Sequence, residues 1–335
     1  MLASAIAVLA TSAGSYTVVD TGIVRTEGIL SMERMNNRGE IIGGRFIGPD
    51  DPIKHLGLYW KDGKLTELTS PLGGDIHLVG INDDGVVAGV FDSGLDTEQV
   101  PFLWTKNEGF QRIVSGGGTF APTSINNGGV VAGSLFLDGK TYVATWSRKD
   151  GYKRFAEFEG NLMIGVDLND RGDMVYIVAD RGRHIYAPRG EAGQPLATVP
   201  EPRTEGGFLP VYAMGLNNLG WLCGVTDYSI VMPPDRTKVQ ATLWSPDNAR
   251  FEVAQGVSLR DLNDSNVAVG VRRVLKWPPI NEPVVWDRTN GVRELKRLAP
   301  LPGLHDVKAI NNKGEILCSG LDANGAGRWY ILKPG

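Results

Sequence analysis

At 335 residues and a net charge of −4, the chain has no basic excess of the kind that marks a nucleic-acid or membrane-surface partner. Its apolar share is ample for a packed core, and its 44 glycines follow no three-residue period, which excludes a collagen-like rod. The two cysteines, Cys223 and Cys318, stand at similar places in two sequence repeats and are expected as buried small hydrophobes, not as a disulfide.

The first element is a short apolar run, Leu2 to Ala13, that ends in small residues. It is similar to the apolar core and cleavage region of a secretory signal peptide, although no basic residue precedes it. The expectation is a leader over 1–14 and a secreted or periplasmic protein, or a cytoplasmic one if the run is no signal. No stretch reaches the roughly 18 apolar residues of a membrane span.

From residue 15 the chain is a repeat. The phrase Ile81-Asn82-Asp83-Asp84-Gly85-Val86-Val87-Ala88-Gly89 returns in seven copies, whose first Asn residues are Asn36, Asn82, Asn126, Asn169, Asn217, Asn263 and Asn311. The gaps of 43 to 48 residues match propeller blades. Each copy reads as a short strand, a turn, a second strand, a variable stretch, a third strand ending near a Trp, another turn and a fourth strand. The turn places Gly39, Gly85, Gly129, Gly172, Gly220 and Gly314 where a left-handed residue is needed, with Asn266 in the remaining copy. A second small position, Gly43, Gly89, Gly133, Gly224 and Gly270, suggests a bulge or a close approach where blades crowd toward an axis. Trp60, Trp104, Trp146, Trp244 and Trp286 read as packing between neighbouring blades, and repeat four carries Ala187 beside Tyr186 instead.

The fold class predicted is all-β: one seven-bladed β-propeller over 15–335. Its blades fall at about 29–70, 75–114, 120–158, 162–199, 210–254, 257–298 and 304–335 plus 15–22. Repeat seven lacks a fourth strand, and the lone β-rich stretch Tyr16 to Val19 is expected to supply it and close the ring. The two residues between Asn and Gly look freely variable, so the motif reads as turn chemistry that marks a plain face.

The phrases INDDGVVAG and INNGGVVAG, with FLW before a Gly-containing turn, resemble the HAF-type repeats of bacterial extracellular repeat proteins. The resemblance covers roughly residues 15 to 335. It implies a propeller-like fold and, commonly, export, and it brings no catalytic residues with it. Repeat four and the long loops of repeats five and six depart from the pattern, and the His usual before the third strand is largely absent.

Long connections gather on the face opposite the Asn-x-x-Gly turns, so function is expected there, around the channel mouth. His305, Asp306 and Lys308 of repeat seven, Glu33 of repeat one and His77 of repeat two are expected in one sector. His77, His305 and Glu33 are the candidate acid–base set. Lys308, Arg260, Tyr212 and Asp306 are candidate ligand contacts. The long loops of repeats five and six add Tyr228, Arg236, Arg273 and Trp277, and an aromatic beside cations suits a sugar, a peptide or an aromatic compound. The four histidines have no metal-ligand spacing, and the acidic stretch Asp92, Asp96 and Glu98 reads as a solvated loop, so neither metal nor cofactor is expected. Three readings stay open: an exported binding module, a propeller lyase, hydrolase or cyclase, and a structural interaction scaffold. A monomer is expected. Fold alone does not choose among the three.

Overall fold

The computed structural model describes residues 16–24, 30–47, 54–92, 99–114, 116–160, 165–178, 183–191, 193–198, 210–228, 239–274, 280–301 and 303–335. They form seven four-stranded antiparallel blades, a β-propeller architecture. The described residues add only one short α-helix, Leu295–Leu298, and a single 3-10 turn. Two compact units share the blades: Glu27–Pro195 holds blades 1 to 4, and Leu196–Gly335 with Met1–Thr26 holds blades 5 to 7.

The first strands of blades 1 to 4 are Leu30–Met35, Asp75–Ile81, Thr119–Ile125 and Val166–Leu168. Those of blades 5 to 7 are Val211–Leu216, Val257–Leu262 and Asp306–Ile310. Each pairs with a second strand across the Asn-x-x-Gly turn, as in Ile41–Ile47 of blade 1 and Ile316–Leu321 of blade 7. Blade 7 takes its fourth strand from the other end of the chain. Tyr16–Val24 runs antiparallel to Gly327–Pro334, with Tyr16 opposite Pro334 and Val18 opposite Leu332, as the missing fourth strand of repeat seven requires.

The repeat Asn does more than shape its turn. In all seven copies its Oδ1 accepts the backbone N–H four residues on, at 2.8 to 3.0 Å. In five copies the described bonds carry its Nδ2 out of the blade. Asn36 donates to Asn82 O at 2.8 Å, Asn82 to Asn126 O at 3.2 Å and Asn126 to Asn169 O at 3.0 Å. In the other unit Asn217 donates to Asn263 O at 2.9 Å, and Asn263 to Asn311 O at 3.1 Å. All seven Asn side chains are buried, so these bonds satisfy groups that water does not reach.

A second tier lies one residue further along. The positions that look freely variable alternate: Asn37, Asp83, Asn127, Asp170, Asn218, Asp264, Asn312. Each Asp accepts amide protons from the Asn on a neighbouring blade. Asn37 Nδ2 donates to Asp83 Oδ2 at 2.8 Å, and Asn127 Nδ2 donates to Asp83 Oδ2 and Asp170 Oδ2, both at 2.9 Å. Asp264 Oδ2 receives Asn218 at 3.1 Å and Asn312 at 2.6 Å. An Asn–Asp pair is complementary, whereas adjacent Asp residues would repel. The expectation of free variation is therefore corrected: the pair's first member is set by the blade next to it.

The second glycine has a definite cause. Six inner strands carry a register shift, between residues 32/34, 78/80, 122/124, 213/215, 259/261 and 307/309. A Cβ on Gly43, Gly89, Gly133, Gly224 or Gly270 would lie 1.9 to 2.5 Å from a carbonyl oxygen of the paired inner strand. The close approach thus comes from the same blade's first strand, not from crowding between blades. Blade 4 shows no shift and carries the buried Tyr176 there, while blade 7 admits Cys318. Gly133→Ala, whose Cβ would stand 2.1 Å from Ala121 O, is expected to cost about 3 kcal/mol, read as a lower denaturation midpoint. An unchanged midpoint would show that the bulge yields freely.

Cores form between blades. Ile42, Tyr59 and Leu68 of blade 1 pack with Ile76, Val87, Phe102 and Trp104 of blade 2, and the Tyr59 and Trp104 rings lie 5.1 Å apart. Cys223 and Leu243 of blade 5 meet Leu259, Ala268 and Trp286 of blade 6. Where repeat four lacks the Trp, the adjacent Tyr186 is fully buried instead. Both cysteines are free and buried.

Candidate functional site

The register shift re-aims one residue of each of the six shifted inner strands, three positions before the repeat Asn. In blades 5, 6 and 7 these residues are Met214, Arg260 and Lys308. Arg260 Nη1 donates to the Asp306 carboxylate and to Val307 O at 2.7 Å. Lys308 Nζ lies 3.8 Å from Asp306 Oδ2. Two cations thus share one carboxylate, all three partly exposed. Asp261, beside Arg260, accepts Leu262 N and Ile310 N at 2.9 Å, so the inner strands of blades 6 and 7 carry a balanced cluster of two cations and two carboxylates. On the inner strand of blade 5, Tyr212 and Met214 are 39% and 47% exposed. Apolar surface and a charged cluster therefore sit on neighbouring inner strands of one unit.

Of the ligand contacts expected from sequence, Arg260, Asp306 and Lys308 come together, and Tyr212 stands on the inner strand of the blade beside them. Sequence reasoning passes over Met214; its signal is its place three residues before Asn217, the register of Arg260 and Lys308. Tyr228 lies elsewhere. Its hydroxyl bonds Glu252, which also takes Arg250, within the outer part of blade 5. Burial, and then the bond to Glu252, push the Tyr228 phenol pKa upward. Arg273 sits on the second strand of blade 6, opposite Asn281. Arg236 and Trp277 lie outside the described residues.

His305, in the same unit, is held by its own surroundings. Nδ1 lies 3.1 Å from Gly303 O, and Nε2 lies 3.3 Å from the hydroxyl of Ser319. Ser319 is buried. Burial, and secondarily Asp306, push the neighbouring Cys318 thiol far above its usual range, so it stays protonated.

His77 and Glu33 belong to the unit of blades 1 to 4. The His77 ring stacks on His55 at 4.3 Å and 19°, and Phe46 meets His55 edge-on at 4.4 Å. His55 Nδ1 lies 2.6 Å from Ile76 O, which fixes that nitrogen as the N–H donor. Burial, and then His55, lower the His77 pKa, while Asp75 and Asp92 oppose the shift. Glu33 is exposed and accepts the Ser31 hydroxyl. Nearby, burial raises the Asp167 pKa, and Arg34 of blade 1 partly offsets it. Among the described residues, no group of three or more His, Cys, Asp and Glu is placed to hold a metal ion. No helix among them is long and apolar enough to cross a membrane.

Comparison with known proteins identifies the fold only. No family model matches the chain, and no curated protein matches it. Solved structures do. An acylaminoacyl peptidase of Pyrococcus horikoshii superposes with a TM-score of 0.56 at 13% identity, over 91% of this chain and 51% of that one. A prolyl endopeptidase gives 0.53 at 11% identity, over 90% and 46%. The chain thus spans about half the length of these peptidases. YCF48, solved with a D1 peptide bound, gives 0.51 at 11% identity over 99% of both chains.

Proposed function

We propose that this protein is a ligand-binding propeller whose site is the inner-strand surface of blades 5 to 7. Its ligand is an anion with an apolar end, such as the carboxyl terminus of a peptide. The carrying observation is the Arg260–Asp306–Lys308 cluster beside the exposed Tyr212 and Met214. Arg260 is held by Asp306 and Val307 O, so it is ordered before a ligand arrives. A ligand carboxylate meets the partly exposed ends of Arg260 and Lys308, and Tyr212 and Met214 cover its apolar neighbour. A peptide is the natural first probe, because a neighbour of matching length was solved with one bound. Arg236, Arg273 and Trp277 belong to the same proposal as an outer wall, and Tyr228 does not.

The alternative is acid–base catalysis by His77, His305 and Glu33. The described contacts favour it less. His77 faces an aromatic partner, and His305 faces a buried serine and a backbone carbonyl. The repeat phrases support placing the chain with HAF-type extracellular repeat proteins, and the apolar leader supports export.

The test is a binding titration with short peptides ending in an apolar residue, as free acid and as carboxyl amide. Arg260→Ala and Lys308→Ala are each expected to weaken binding of the free acid about tenfold, from the loss of a charged hydrogen bond. The amide is expected to bind as weakly to the parent. Equal binding of acid and amide, or an unaffected Arg260→Ala, would place the site elsewhere.

A further inference from the structure

The second tier of the Asn belt contains one chemically distinct copy. In six of the seven turns the N–H two residues after the repeat Asn donates to that Asn's Oδ1, at 3.0 to 3.1 Å. The residues donating are Arg38, Asp84, Arg171, Leu219, Ser265 and Lys313. In blade 3 that residue is Gly128. Among the described residues, Asn126 Oδ1 receives Val130 N at 3.0 Å and no bond from Gly128. Gly128 follows Asn127, and both are exposed.

An Asn followed by Gly is prone to attack on its own side-chain amide. The following backbone nitrogen, once it loses its proton to base, is unhindered and can reach Cγ. Here that nitrogen is the one the repeat Asn does not hold. The carbonyl it would attack is polarised, because Asn127 Oδ1 accepts Asp83 N at 2.7 Å. The chain has two other Asn-Gly pairs, one with its glycine nitrogen engaged and one with its glycine inside a ladder. Gly325 N donates to Asp322 O at 3.0 Å, and Gly291 is paired with Asp287 in the blade 6 ladder.

We propose that Asn127–Gly128 is a spontaneous deamidation site and that its product opens the belt joining blades 2, 3 and 4. The Gly128 nitrogen bonds to Cγ of Asn127, and Nδ2 leaves as ammonia, which carries off a proton. Water then opens the succinimide at either carbonyl, giving Asp or iso-Asp at 127. The net change is amide plus water to carboxylate plus ammonium, with no oxidant involved.

The consequence follows from the alternation. Asn127 Nδ2 gives both of its protons away, to Asp83 and to Asp170. A carboxylate at 127 removes both donors and sets three acids in a row. The adjoining turns carry Asp84, a further acid, and Arg171, whose guanidinium is bound to Asp173 at 2.7 Å. The product therefore repels both of its neighbours. An iso-Asp also lengthens the backbone inside a four-residue turn.

The experiment is ageing of the full chain at mildly alkaline pH, followed by peptide mass mapping and separation of the acidic form. Acid is expected at 127 ahead of 290 and 324. The separated acidic form is expected to melt roughly 5 °C or more below the parent. Gly128→Ala, which adds a Cβ only 3.3 Å from Asn126 Oδ1, is expected to keep its amide several-fold longer. Asn127→Asp is expected to reproduce the loss at neutral pH. Crowded carboxylates titrate above their unfolded values, so this deficit shrinks as pH falls through the carboxylate range. If Asn127→Asp does not fold, the aged parent and Gly128→Ala still decide. Acid appearing first at 290 or 324, equal ageing of Gly128→Ala, or an acidic form that melts with the parent would overturn the proposal.

Discussion

Removing Tyr16–Val24 is expected to lower stability by about 4 kcal/mol or more, the size reserved for loss of a structural element. This strand is the fourth member of blade 7, and it is paired along Gly327–Pro334. Val18 packs into the core that holds Leu332, Tyr330, Ile310 and Ile316, and Ile23 is also buried. Burying such side chains stabilises by about 1.5–3 kcal/mol each. The Thr21 hydroxyl donates to Trp329 O at 2.7 Å, a bond that ties the strand across a register shift. Without the strand, Gly327–Pro334 becomes an open edge with unpaired backbone groups, a template for association. The measurement is chemical denaturation of the shortened chain, with light scattering as a second readout. Val18→Asp is the milder companion, since it leaves the ladder but places a carboxylate in the core. A shortened chain that unfolds at the parent's midpoint would show that blade 7 is complete with three strands.

The blades are legible in the sequence because their signals are local. Asn-x-x-Gly fixes a turn, and a turn fixes which strands pair, so counting copies counts blades. Asn266 in the left-handed place, with φ of 57°, follows the same backbone rule as Gly85 with φ of 73°. The missing strand of blade 7 is legible too, since an unpaired third strand and a lone β-rich N-terminus imply each other. The belt is less legible. Asn and Asp look like interchangeable turn residues until the neighbouring blade shows that one donates where the other accepts. The site is divided for a related reason. Arg260, Asp306 and Lys308 are found by position on the inner strands, but Met214 is apolar and draws no attention in a search for chemistry. The register shift that exposes it is a pairing event, visible in sequence only as the glycine opposite. His55, the partner of His77, stands on the third strand of another blade, and no spacing rule connects the two.

Asn82→Ala tests whether the repeat Asn is a turn residue or a rivet between blades. As a turn residue it accepts Asp84 N and Val86 N, both at 3.0 Å. As a rivet it donates Nδ2 to Asn126 O at 3.2 Å, while its own carbonyl receives Asn36 Nδ2 at 2.8 Å. Alanine removes all three side-chain bonds at a buried position. Each group left without a partner costs roughly 1–3 kcal/mol, so a loss of about 3 kcal/mol or more is expected. Asn82→Asp separates the two roles. It keeps an oxygen for the turn N–H groups but turns a carboxylate oxygen toward Asn126 O. If only the turn mattered, Asp would serve nearly as well as Asn. With the rivet, Asn82→Asp is expected to match the alanine variant at neutral pH and to recover in acid, where a protonated carboxyl can donate. The sign follows from linkage: a buried carboxyl facing a carbonyl has a folded pKa above its unfolded value, so its penalty holds above the folded pKa and is relieved as pH falls. Asn290→Ala, at an exposed hairpin turn where Asn290 bonds only Asp287 among the contacts described, is the control and is expected to cost well under the buried rivet. Urea denaturation of the three variants at neutral and acidic pH reads the outcome. An Asn82→Asp chain as stable as the parent at neutral pH would return the motif to turn chemistry alone; the expected pattern makes each Asn both the end of one blade and the start of the next.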